Sequence, residues 1–128
     1  MNTVTNLLEQ YRIAARAERE NRGGGWSSAE ETYDEFKARM LPFVEESENA
    51  VLAIVDYVDS HVVYEGYNFR NARPAKLAVI DGERIYFNDA PGPYYTAERD
   101  ALRALLGGDH HLAGKVQGAL RERWGWAG

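Results

Sequence analysis

The sequence predicts an α+β fold, with helices packed on one face of a small antiparallel sheet of three or four strands, in the order ααα-βββ-αα. Three observations predict it. Apolar residues recur with a helical period before residue 62 and again after residue 96, whereas the stretch between alternates and is broken by turn residues. Asp81-Gly82 lies between two apolar-rich runs, and Asp-Gly readily takes the positive φ values of a tight hairpin turn. The chain has 128 residues and no cysteine, a length that buries one core without disulfide or metal staples. We therefore read 1–128 as a single domain: an N-terminal helix (1–22), a Gly-rich hinge (23–26), an acidic helical segment (27–62), an antiparallel sheet (62–88) and C-terminal helices (96–124).

Thr5 is placed to cap the first helix, whose apolar side is Leu7, Leu8, Tyr11 and Ala15. Gly23-Gly24-Gly25 ends it and reads as a hinge, since no Gly-Lys-Ser/Thr follows to make a phosphate loop. Ser27 with Glu30, or Ser28 with Glu31, has capping-box spacing for a second helix with a seam of Tyr33, Phe36 and Met40. Pro42 cannot donate the helical bond, so that helix kinks or ends there.

The most apolar run, Asn49 to Val63, is the centre of the chain. Read with period 3.6, Val51, Ile54, Val55, Val58 and Val62 form one stripe with Asp56, Asp59 and Ser60 opposite; read with period 2, it is a strand apolar on both faces. The helical reading is favoured, because Glu45, Glu46 and Glu48 would then lie at a helix N-terminus, where negative charge is stabilised. His61 to Phe69 alternates as a strand, Lys76–Ile80 and Glu83–Asn88 flank the hairpin turn, and Asp89 to Pro93 is a loop. Thr96 starts a helix closed by Gly107-Gly108, and Asp109 caps the last one.

Several functions are excluded or disfavoured. Without cysteine there is no thiolate nucleophile and no cysteine-ligated metal. No run approaches the roughly 20 apolar residues of a membrane span, and the N-terminus lacks a signal-peptide pattern, so a cytoplasmic protein without membrane contact is expected. No nucleophile elbow, dinucleotide fingerprint or HExxH is found, and no cofactor is expected. Asp56, Asp59 and His61, with Glu65 further on, are oxygen and imidazole donors, but on a helix His61 points away from the two aspartates. His110 and His111 diverge by about 100° behind an Asp cap, which makes capping the better reading and no metal site expected.

Charge is unevenly distributed. Residues 30–59 hold nine acids against two bases, net −7, while the whole chain is −5 and the remainder therefore +2. Such a layout gives one acidic face that repels nucleic acid and attracts a basic partner, although charge runs often only solubilise. The leading functional expectation is thus a small acidic protein-binding module, inhibitor-like or immunity-like, that occupies a partner with a basic surface. Its expected contacts are Glu30, Glu31, Asp34, Glu35, Glu45 and Glu46, with Trp124 and Trp126 either tucked into the core or protruding as anchors. The alternative is a nucleotide- or small-ligand-binding protein or enzyme whose pocket is lined by Tyr64, Tyr67, Arg70, Arg73, Tyr86, Tyr94 and Tyr95. The patch from Glu65 to Lys76 is only +2, which argues against direct nucleic-acid binding, and nothing in the sequence sets the oligomeric state.

Overall fold

Thr3, rather than Thr5, starts the first helix. The computed structural model describes residues 3–23 and 31–126. Thr3 has extended backbone angles and its Oγ1 accepts the Asn6 amide at 3.2 Å, so α1 runs Val4–Arg22. The earlier start has a packing cause: Val4 joins Leu7, Leu8, Tyr11, Ala14 and Ala15 in the buried stripe, and a cap at Thr5 would leave Val4 outside it. The rest of the Gly-rich hinge beyond Gly23, with Ser27, Ser28 and Glu30, lies outside the described residues.

The second and third expected helices are one element. Helix α2 runs Tyr33–Ser60, through Pro42, which gives the order αα-βββ-αα. Its start is a capping box between Thr32 and Glu35: the Glu35 amide donates to Thr32 Oγ1 at 3.1 Å and the Thr32 amide to Glu35 Oε1 at 3.5 Å. Pro42 removes one hydrogen bond to the Ala38 carbonyl, but both residues are exposed, so water replaces the missing donor and the helix continues. Phe36, Met40, Val51, Ile54, Val55 and Val58 are buried, whereas Tyr33, expected in the seam, is 53% exposed. Residues 49–60 are therefore helix, not strand.

Two compact units are distinguished, Met1–Val51 and Leu52–Gly128, with the division falling inside α2. In the first, the end of α1 is held by Arg39, which donates to the Asn21 carbonyl and bonds Glu31 at 2.8 Å. Arg22 and Arg39 both lie over the Phe36 ring.

The second unit contains the sheet, β1 (Val62–Tyr67), β2 (Pro74–Ile80) and β3 (Glu83–Asn88), antiparallel in the order β1-β2-β3. Asp81 and Gly82 carry positive φ of 52° and 79°, and Ile80 pairs with Glu83 across the two-residue turn. One sheet face holds Ala78, Ile80, Ile85 and Phe87, all buried. Helix α3 (Pro93–Leu105) begins three residues before Thr96, because Pro93 fits the first helical turn, where no N–H is needed. It ends in a Schellman motif, the Gly108 amide donating to the Arg103 carbonyl at 2.8 Å. Asp109 caps α4 (His110–Arg123), accepting the Leu112 amide at 2.9 Å.

Candidate functional site

The acidic segment divides into acids with internal duties and acids without. Glu31 is bonded by Arg39, and that hydrogen bond, more than the charge attraction beside it, holds its carboxyl below the ordinary value. Glu35 closes the capping box, and Asp34 lies 3.6 Å from Lys37. Further along α2, Asp56 and Asp59 meet Arg123 at 2.6 and 3.8 Å, and Asp59 also accepts the Trp124 indole at 2.8 Å. Glu45, Glu46 and Glu48 are exposed and have no hydrogen-bond or ion-pair partner among the described residues. Because α2 begins at Tyr33, these three are in mid-helix and not in a first turn, so the helix dipole gives them no stabilisation. Glu45 and Glu48 are an i,i+3 like-charge pair, which costs a few tenths of a kcal/mol. Leu41, one turn before Glu45, is 53% exposed.

The expected tyrosine pocket is only partly assembled. Tyr86 and Tyr94 come together with Arg84, Pro93, Ala97 and Ala101 around a wide-open groove of ≈ 440 Å³ between β3 and α3. Tyr95 is elsewhere: its hydroxyl accepts from Arg99 at 2.9 Å and its ring lies under Arg121. Tyr67 is 72% exposed and lines a separate cleft with Glu65, Lys76 and Trp126. Tyr64, 53% exposed, lies along its own strand above Gly66, where an added Cβ would come 2.3 Å from the phenol oxygen. Arg73 donates to the Asp89 carbonyl, whereas the Arg70 guanidinium lies over the Phe69 ring, 5.7 Å from its centroid, with no hydrogen-bond or ion-pair partner among the described residues.

The connector that carries Phe69 and Arg70 is firmly built. Asn68 Oδ1 accepts the amides of Arg70 and Asn71 at 2.8 and 3.2 Å, and its Nδ2 donates to the Tyr86 hydroxyl at 2.6 Å. Asn71 Nδ2 donates to Asn88 Oδ1 at 2.6 Å, and the Ala72 amide returns to the Asn68 carbonyl. This scaffold holds Phe69 91% exposed.

Trp124 and Trp126 tuck back. Trp124 stands edge-on to Phe87 at 5.1 Å and against Trp126 at 4.9 Å, and both indoles are half-buried. Beneath them lies a polar cluster that no sequence motif marks. Arg121 Nη2 donates to Glu98 Oε2 and to the Asn88 carbonyl, each at 2.9 Å, while Gln117 Nε2 donates to Glu98 Oε2 at 3.2 Å and to the Tyr95 carbonyl at 3.0 Å. Arg121 Nη1 is 3.7 Å from Asp89, too long for a hydrogen bond. Burial pushes the Glu98 carboxyl above its ordinary value; Arg121 and Gln117 pull it back incompletely, and Asp89 adds a small push upward. Glu98 Oε1 and Arg121 Nε and Nη1 are buried without a hydrogen-bond partner among the described residues. The polar spacing itself is the signal for this cluster: Gln117 and Arg121 follow Ala113 at four-residue steps, and Glu98 precedes Leu102 by four, so all three fall on buried stripes.

Comparison with protein-family models, with curated proteins and with solved structures finds no match to this chain.

Proposed function

We propose that this is a protein-binding module that engages a basic surface of its partner through the carboxylates of α2 and acts by occupying that surface. The observation that carries the reading is the position of Glu45, Glu46 and Glu48: mid-helix, exposed and unpaired among the described residues, with Glu45 and Glu48 a like-charge i,i+3 pair. Neither helix capping nor internal ion pairing accounts for them. A stiff helix presenting carboxylates beside an exposed leucine suits a groove whose cations otherwise meet phosphates, because desolvated apolar contact gives affinity and charge gives rate and orientation. Glu31, Asp34 and Glu35, already engaged within the chain, contribute to the field more than to direct contact. The tyrosine-lined alternative is weakened by geometry, since Tyr86 and Tyr94 share an open groove while Tyr67 lines a separate cleft and Tyr95 is engaged with Arg99 and Arg121.

The test is a partner capture from the source cell, with chemical crosslinks mapped by mass spectrometry, followed by rate measurements on the purified pair. Reversing Glu45, Glu46 and Glu48 to lysine should slow association by about tenfold or more at low salt and abolish its salt dependence. Unchanged association in the reversed variant would reject this surface.

A further inference from the structure

Strand β1 is an edge in an unusual condition. Among the described residues it pairs with β2 alone, and beside the exposed Glu65 it presents large apolar side chains: Val63 is 65% exposed, Tyr64 53% and Tyr67 72%, with Phe69 beyond its end at 91%. Natural sheets blunt such edges with lysine, proline or bulges. Here the bulge falls between Val62 and Tyr64, leaving Tyr64 to Tyr67 regular.

The register shows which backbone groups are free. The Asn68 amide donates to the Arg73 carbonyl at 2.9 Å, continuing the ladder that opposes Tyr67 to Pro74 and Gly66 to Ala75. Antiparallel ladders alternate, so Gly66 and Tyr64 bond to β2 while the N–H and C=O groups of Glu65 and Tyr67 point to the open side. Pro74, which has no N–H, accordingly sits opposite Tyr67.

Charge selects the occupant. The Glu65 carboxylate is neutralised by Lys76 at 2.8 Å and Arg73 is turned to Asp89, whereas Arg70 has no carboxylate partner among the described residues. The open end of this edge is therefore cationic on a chain of net −5. A second copy is disfavoured: the one carboxylate of its own β1, Glu65, is already held by Lys76 and so offers Arg70 no partner.

We propose that the free edge of β1 accepts an extended, carboxylate-bearing segment of another protein as a fourth strand. Its backbone bonds Glu65 and Tyr67, its apolar side chains lie beside Tyr64 and Tyr67, and its carboxylate meets Arg70. Main-chain bonds supply affinity and the flanking side chains supply selectivity, as in other strand additions. This site lies in the Leu52–Gly128 unit and does not depend on the α2 carboxylates.

The experiment is selection of the full chain against a randomised eight-residue peptide library displayed on phage, followed by amide exchange on the complex with the best synthetic peptide. Enriched peptides should combine β-branched or aromatic residues with Asp or Glu. They should slow exchange at the Glu65 and Tyr67 amides by at least about tenfold. Arg70→Glu should weaken binding by about fivefold or more, and methylating alternate peptide amides on one edge should abolish it, both without altering the protein's fold. Absence of enrichment, protection confined to other amides, or an Arg70→Glu variant that selects the same acidic peptides equally well would each overturn the proposal. Protection of the two amides without peptide, appearing together with dimers in sedimentation, would overturn it in favour of self-association.

Discussion

Replacing Glu98 by glutamine and by leucine should have very different consequences. Its carboxylate is 2.9 Å from Arg121, and both side chains are almost fully buried. At an effective dielectric of 20, that separation corresponds to an attraction of about 6 kcal/mol. Burial of a carboxylate opposes this with several kcal/mol. The two are close, and the upward displacement of the Glu98 carboxyl from its ordinary 4.5 shows that burial prevails, with Asp89 adding to it. Burial offsets most of what the charge on Glu98 contributes, and its acceptor oxygen matters more: Oε2 accepts from both Arg121 and Gln117. Glu98→Gln, which keeps an acceptor, should change stability at neutral pH by no more than about 1 kcal/mol. Glu98→Leu strands two buried donors, one of them cationic, and should cost about 3–5 kcal/mol.

The pH dependence follows with a definite sign. Because the folded-state value is raised, the native chain binds more protons at this site than the unfolded chain across the interval above 4.5. Stability from this group is therefore greatest below 4.5, falls as pH rises through the interval and is level above the raised value. Urea titrations of the wild type and Glu98→Gln, followed by the fluorescence of Trp124 and Trp126 in a Trp26→Phe background, read both effects. The advantage of wild type over Glu98→Gln should shrink with rising pH. The reasoning is refuted if glutamine costs as much as leucine, or if that advantage grows with pH. Glu98→Leu combined with Arg121→Met should recover most of the loss, since an apolar pair of similar volume leaves no cation uncompensated.

Two further outcomes bear on the fold. Thr32→Ala removes one half of the α2 capping box and should cost about 1 kcal/mol, measured as a lower urea midpoint with faster amide exchange at Glu35 and no change elsewhere on α2. Gly82→Ala meets no atom within 4 Å, so its expected cost of about 1 kcal/mol comes wholly from the positive φ of 79°; thermal melting should show it, and Asp81→Asn, which tolerates φ of 52° better, should be neutral or slightly stabilising.

Local chemistry made much of the architecture legible. The Asp81-Gly82 turn, the Asp109 cap and the stripe of Val51, Ile54, Val55 and Val58 all follow from interactions within a few residues and are found in place, whereas Val62, expected on the same stripe, begins β1. What local reasoning misjudged were contests between neighbours. Thr32 with Glu35 has the same capping spacing as the two serine pairs upstream, and it is Thr32 that caps α2. Pro42 argued for a kink or an end, and the helix does not end there: the loss of one hydrogen bond on a hydrated surface is smaller than the gain from burying Phe36 and Met40 before it and Val51 after it on a single helix.

The candidate sites were less legible because net charge along a sequence is not net field in a fold. Residues 30–59 sum to −7 with Lys37 and Arg39 already counted, but Arg123 neutralises part of that sum at Asp56 and Asp59 from more than sixty residues away, which no window can register. The same fold withdraws Arg73 to Asp89 and spends Lys76 on Glu65, so that of the cations expected to line a ligand pocket only Arg70 is left facing outward with its phenylalanine. Residual charge after such pairing is what a partner meets, and within the two candidate surfaces it is negative at Glu45, Glu46 and Glu48 and positive at Arg70. The helix merger sharpens the first of these, because it removes the one local benefit, an N-terminal dipole, that would have explained three adjacent acids without a partner.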